Sequence, residues 1–171
     1  MPEPLDIVCY PDPILRRPTA PVGEVTDEIR ELIPVLTVSM REAKGLGLAA
    51  NQVGIGKRLA LVSDTGEEED IRVVIDPEIV ATDGALAMEE GCLSFPGLLG
   101  LITRPERVTV RYTNLDGERI TEETDGLLAR CFLHEIDHLD GILFISKMTP
   151  ADRIRLKRSL RDMEEEYAER S

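Results

Sequence analysis

Apolar residues recur at helical spacing between Thr26 and Lys44, where Ile29, Leu32, Ile33, Leu36, Met40 and Ala43 form one stripe. Thr26 is placed to cap this helix, Asp27 and Glu28 suit its positive end, and Gly45 supplies a stop. Pro34 falls inside the pattern and predicts a kink or a later start. The period then changes. Leu59–Ser63 and Val73–Ile75 are short apolar runs around the acidic loop Glu67–Asp70, which reads as a solvated tip. Val108, Val110 and Tyr112 alternate with polar residues, as in a half-buried strand. Asp116-Gly117 signals a hairpin turn into a strand near Arg119–Glu122. Asp125 can cap a helix that runs to about Asp140 and closes at Gly141. Thr149-Pro150 opens a last helix with the stripe Leu156, Leu160, Met163 and Tyr167. The first 24 residues are rich in proline and read as an extended, turning segment, with Cys9 in a strand as a small apolar residue. The expected fold is α+β: a single domain over 1–171, with antiparallel or mixed strands around a central helix, an N-terminal helix and a C-terminal helix.

Composition narrows the partners. The chain of 171 residues has 20 basic and 33 acidic residues, a net charge of −13. Such a chain is repelled by DNA and by anionic lipid unless it keeps a local basic patch. With no Trp, three Phe and three Tyr, base-stacking platforms are not expected. No apolar run approaches the ~20 residues needed to span a bilayer. The start of the chain lacks a basic stretch followed by an apolar one, and three cysteines make a poor disulfide framework. The expectation is a reduced, cytoplasmic setting in which a cysteine acts as a thiolate.

The chain has only two histidines, and both fall in His134-Glu135-Ile136-Asp137-His138. Residues four apart lie one turn apart on the same helix face, so both imidazoles can reach one metal. Glu135 then stands where a general base for a water belongs. A third ligand is needed. Cys131 is seven residues from His138, about 10.5 Å along the axis, too far for a short thiol to share the ion, so it reads as core or pocket wall. That leaves Cys92, in Glu90-Gly91-Cys92-Leu93-Ser94, on a bend followed by the turn Phe95-Pro96-Gly97. One Cys and two His leave a position open, the pattern of a catalytic site.

The stretch Gly45-Leu46-Gly47-Leu48-Ala49-Ala50-Asn51-Gln52 is not a phosphate loop. It is either a helix stop with an apolar turn or a place where backbone approaches a ligand. Gln52 is an amide in apolar surroundings and must bond to something, with a substrate oxygen as one option.

Together, GLGLAANQ at 45–52, EGCLS at 90–94 and HEIDH at 134–138 resemble the peptide deformylases. The resemblance implies removal of the N-formyl group from the initiator methionine of nascent polypeptides. It implies Cys92, His134 and His138 as ligands of one divalent ion, usually Fe²⁺, with Ni²⁺, Co²⁺ or Zn²⁺ able to substitute. It assigns Glu135 as base and then acid, and Gln52 with the Leu93 N–H as donors to the oxyanion. Gly47 allows close approach, Leu46 and Gly91 pair with the peptide backbone, and Leu46, Met88, Leu127, Cys131 and the His134 ring line the methionine pocket. Three positions depart from the usual pattern: Asn51, where Pro or Thr is common; Leu98-Leu99, where a basic residue is common; and Leu133, where Gln is frequent.

Arg153, Arg155, Lys157, Arg158 and Arg161 make a basic cluster in an acidic chain. It reads either as a solvated face paired with Glu164–Glu166 or, as in some family members, as a ribosome-docking patch. A zinc peptidase shares the HExxH pattern but usually adds a downstream His or Glu, and it leaves the Gly-Cys-Leu motif unexplained. A binding module that has lost catalysis is the reading from a different class.

Overall fold

The computed structural model describes residues 2–171. After a lead with one 3-10 turn at Pro13–Arg16, α1 spans Asp27–Glu42. Thr26 Oγ1 accepts from the Ile29 N–H, so the expected cap forms. The helix continues through Pro34, because burial of Ile29, Leu36 and Met40 outweighs a local cost of about 3 kcal/mol. Its stop is not at Gly45. Lys44 takes the left-handed position at φ +60°, donating to Arg41 O while the Gly45 N–H reaches Met40 O. Gly45 is needed for space instead, since a Cβ there would stand 2.7 Å from Leu93 Cδ1.

Seven strands follow: β1 (Gly47–Ala49), β2 (Leu59–Val62), β3 (Arg72–Asp83), β4 (Leu86–Cys92), β5 (Phe95–Arg104), β6 (Arg107–Thr113) and β7 (Arg119–Asp125). One sheet has the order β1-β2-β3-β6-β7, and β4-β5 form a separate hairpin. Every strand pairing is antiparallel. The expected turn at Phe95-Pro96-Gly97 is instead the start of β5. The chain reverses at Leu93-Ser94, just after a register shift between Gly91 and Cys92.

Helix α2 (Gly126–Leu139) begins after Asp125, whose side chain makes no capping bond; the Gly126 N–H bonds Glu106 O. The five-stranded sheet lies between the two helices. Leu59 and Leu61 of β2 pack with α1, while Val62 packs with Phe132, Leu133 and Ile136 of α2. That division follows the strand's period of two. A third cluster joins Phe95, Leu98 and Ile102 of β5 to Phe144, Met148 and Leu156.

The last helix is not continuous. It divides into α3 (Pro150–Arg155) and α4 (Lys157–Arg170) at Leu156, which is drawn into the β5 cluster. Cys9 is not in a strand either. Prolines in the lead remove ladder donors, and Cys9 sits between isolated bonds from the Val8 N–H to Gln52 O and the Tyr10 N–H to Ser94 O. Among the described residues no helix is long and apolar enough to cross a membrane.

Candidate active site

Helix α2 presents two faces with different work. Phe132, Leu133 and Ile136 bury against the sheet, while His134 and His138 emerge beside the end of β4. Cys92 closes β4, and its Sγ lies 3.1 Å from His138 Nε2. One donor atom each from Cys92, His134 and His138 fall within 4.8 Å of one another. Cys131 is not part of this group; it is buried in the α2 core face and also lines the adjoining cleft.

The donor set suits a divalent metal. A thiolate and two imidazoles are ligands of Zn²⁺-like and Fe²⁺-like ions. Glu135 Oε1 is buried beside them without a partner among the described residues. The electrostatics also favour a cation. Burial would pull the His134 pKa down, yet the bonds to Cys92 and Glu90 push it well above its ordinary value. Burial, with the charges of His134 and Arg104, keeps His138 well below its ordinary value and so neutral, as a ligand must be. Burial pushes the Glu135 carboxyl up to about 7, against the charges of His134 and Arg104.

Behind the histidines lies an ion network that sequence reasoning missed. His134 Nδ1 lies 2.9 Å from Glu90 Oε1. Glu90 also accepts from Arg104 Nε at 2.6 Å and Nη2 at 3.0 Å, and from Arg130 Nη1. Arg104 Nη1 donates to Asp137 at 2.8 Å, and Lys147 Nζ reaches the same carboxylate at 3.0 Å. Burial alone would raise the Glu90 pKa, but hydrogen bonds from His134 and Arg104 outweigh it and hold it at about 2. Glu90, Arg104 and Arg130 are each 5% exposed or less, a burial that charged side chains almost never reach unless paired.

Gln52 is the third residue of a 3-10 turn, Ala50–Val53, that follows β1 directly, so beyond the α1 stop the GLGLAANQ stretch runs on as a short strand and a turn. Its Oε1 accepts from the Ala49 N–H at 3.0 Å, which fixes the amide. Its Nε2 then faces Ser94 Oγ at 3.1 Å and Cys92 Sγ at 3.7 Å. The Ser94 hydroxyl donates to Val8 O, leaving its lone pairs to Gln52. Asn51 turns the other way, donating to His138 O at 2.7 Å. Gly47 packs on Glu135; a Cβ there would collide with the carboxylate.

These groups open into a cleft of about 840 Å³. Leu46, Met88, Leu127, Cys131 and His134 line it together with Gly47, Gly91 and Leu93. Leu99, at the often-basic position, is 51% exposed on the same cleft. Strand β1 is the edge of its sheet, and β4 pairs on one side only. The edge residues Leu46, Gly47 and Gly91 therefore share one cleft with strand pairing positions to spare. The basic cluster lies elsewhere. Arg155 bonds Leu99 O and Asp152, Arg158 approaches Asp162 at 3.8 Å, and no ion pair to Glu164–Glu166 forms among the described residues.

The family model for polypeptide deformylase matches residues 4–154, leaving α4 outside the match. A peptide deformylase of Acidobacterium capsulatum is 46% identical over 160 residues, covering 92% of this chain and 94% of that one. One from Neisseria meningitidis is 43% identical over 157 residues, with the same coverages. Among solved structures, peptide deformylase of Plasmodium falciparum superposes with a TM-score of 0.92 at 38% identity, covering 95% of this chain and 97% of that one. Peptide deformylase 1B of Arabidopsis thaliana gives 0.93 at 33% identity, covering 98% and 94%. Motifs, fold and site geometry meet in one conclusion: this chain belongs to the polypeptide deformylase family.

Proposed function

We propose that this chain, acting as one catalytic domain, hydrolyses the formyl amide of N-formyl-methionyl peptides, the ends of nascent polypeptides, releasing formate. The observation that supports this most directly is the convergence of Cys92, His134 and His138 beside Glu135, whose Oε1 has no partner among the described residues, on the lining of a peptide-sized cleft.

Cys92, His134 and His138 hold one divalent ion, Fe²⁺ in the cell by the family resemblance. Bound there, such an ion supplies Lewis-acid chemistry and lowers the pKa of a water. Glu135 takes the proton of the attacking water and later delivers it to the leaving nitrogen. As the formyl carbon becomes tetrahedral, charge grows on its oxygen. Gln52 Nε2 and the Leu93 N–H donate to that oxygen, and the Ala49 bond has already oriented the Gln52 amide. The peptide lies extended between the edges at Leu46 and Gly91, with the methionine side chain against Leu46, Met88, Leu127 and Cys131. Gly47, having no side chain, lets the Glu135 carboxylate pack against the β1 backbone, next to where the small formyl end lies.

The test is formate release from a formyl-methionyl peptide by protein prepared and metal-loaded without oxygen. Formate from that peptide, with no cleavage of its acetyl counterpart, is the expected result. Loaded protein that releases none would sink the proposal in favour of a non-catalytic module.

A further inference from the structure

A second cavity, of about 400 Å³, lies between the N-terminal lead and the C-terminal helices. Arg16 of the lead, Arg153 of α3, and Lys157 and Arg161 of α4 line it. None of these four pairs with a carboxylate among the described residues. That is unexpected in a chain where acids outnumber bases 33 to 20. Their neighbours Arg155 and Arg158 do find carboxylates. Glu164, the acid on the lining, accepts from the Tyr10 hydroxyl at 3.2 Å instead. Four cations around one concavity repel each other, and an anion seated between them relieves that repulsion. Arginine suits phosphate in particular, because its planar fork donates two parallel bonds.

The floor is different in kind. Ile145, Met148 and Leu160 supply apolar surface beneath the charged rim. A bare inorganic anion gains nothing from such a floor, whereas a molecule with an apolar body and a phosphate end uses both. The volume falls at the small end of ligand pockets, which run from roughly 300 to 1,000 Å³.

We propose that this cavity binds an organic phosphate of nucleoside monophosphate size. Arg16, Arg153, Lys157 and Arg161 hold the phosphate, and the body rests on Ile145, Met148 and Leu160. The site is separate from the catalytic cleft and does not depend on the deformylation reading.

The experiment is calorimetric titration of intact, metal-loaded protein at low ionic strength with adenosine monophosphate, adenosine and inorganic phosphate. The monophosphate should bind one per chain, about tenfold or more tighter than either fragment, because adenosine lacks the charged hydrogen bonds and inorganic phosphate lacks the contact with the apolar floor. The double variant Lys157→Gln/Arg161→Gln should weaken it at least ~tenfold by the same reasoning. Arg158→Gln, outside the cavity, should bind as wild type. All three side chains are exposed, so thermal melting should be unchanged. Absence of saturable monophosphate binding overturns the proposal. So does equal weakening by Arg158→Gln, which signals a diffuse field, or inorganic phosphate binding as tightly as the monophosphate. Retention of a ribosomal RNA fragment, lost in the double variant while the monophosphate fails to bind, also overturns it and assigns the cations to RNA.

Discussion

His134 Nδ1 stands 2.9 Å from Glu90 Oε1, so the orientation of this imidazole is set by a carboxylate that is itself clamped between Arg104 and Arg130. A ring whose Nδ1–H is fixed this way offers its other nitrogen to an ion. Replacing Glu90 by Gln should therefore lower metal affinity about 10–100-fold, the usual effect of losing an outer partner of a ligand histidine. It also leaves the buried Arg130 without a carboxylate and Arg104 with Asp137 alone, which should cost about 3–5 kcal/mol of stability. Chelator competition and urea unfolding measure the two effects separately. Unchanged metal affinity in a folded variant would count against this role for Glu90.

Glu135→Gln should keep its metal and lose activity by about 10²–10⁴-fold, the range for a removed general base. Metal analysis alongside formate release decides it.

Gln52→Ala should lower kcat about 10²–10³-fold, as for a deleted oxyanion donor, with a smaller effect on KM. Steady-state kinetics on one formyl-methionyl peptide gives both constants. A rise in KM alone would reassign Gln52 to substrate binding.

Cys92→Ala should lose the ion or bind a different one. Intact Fe²⁺ occupancy in that variant, measured after anaerobic preparation, argues against the sulfur as ligand. Cys131→Ala should retain the metal, because Cys131 is outside the donor cluster.

Cys131 also makes a prediction about pH. Burial pushes its thiol up to about 12, with the charges of Glu135, Asp64 and Glu90 adding to the shift. In the unfolded chain the thiol ionises near 9, so the unfolded state releases its proton first. The stability contributed by the buried neutral thiol is complete below pH 9 and is lost as pH rises from 9 towards 12. Urea midpoints between pH 8.5 and 11 should fall more steeply for wild type than for Cys131→Ala. Parallel slopes would show that the thiol is not held neutral.

The helices and the histidine pair were legible because their information is local. Ile29, Leu36 and Met40 announce α1 by period alone, and His134 and His138 declare a shared face by their spacing. The β4-β5 hairpin was not legible. Glu89, Glu90, Gly91, Pro96, Gly97 and Gly100 are poor strand formers, and the pairing is imposed by packing against Phe144 and Met148. The Glu90–Arg104–Asp137 network was hidden for a related reason. Charged residues normally report the surface, and only the folded chain shows these three meeting in the interior. The break at Leu156 likewise has no local cue, since the residue suits a helix and is diverted by its burial.

The cleft is walled by the borders of two separate sheets, β1 and β4. Main-chain amides and carbonyls are alike in every polypeptide, so such walls grip an extended chain whatever its side chains spell. On the proposed function, selectivity would fall on the apolar lining that meets the first residue, and a site built this way would be generic by construction, suited to meeting a whole proteome one terminus at a time.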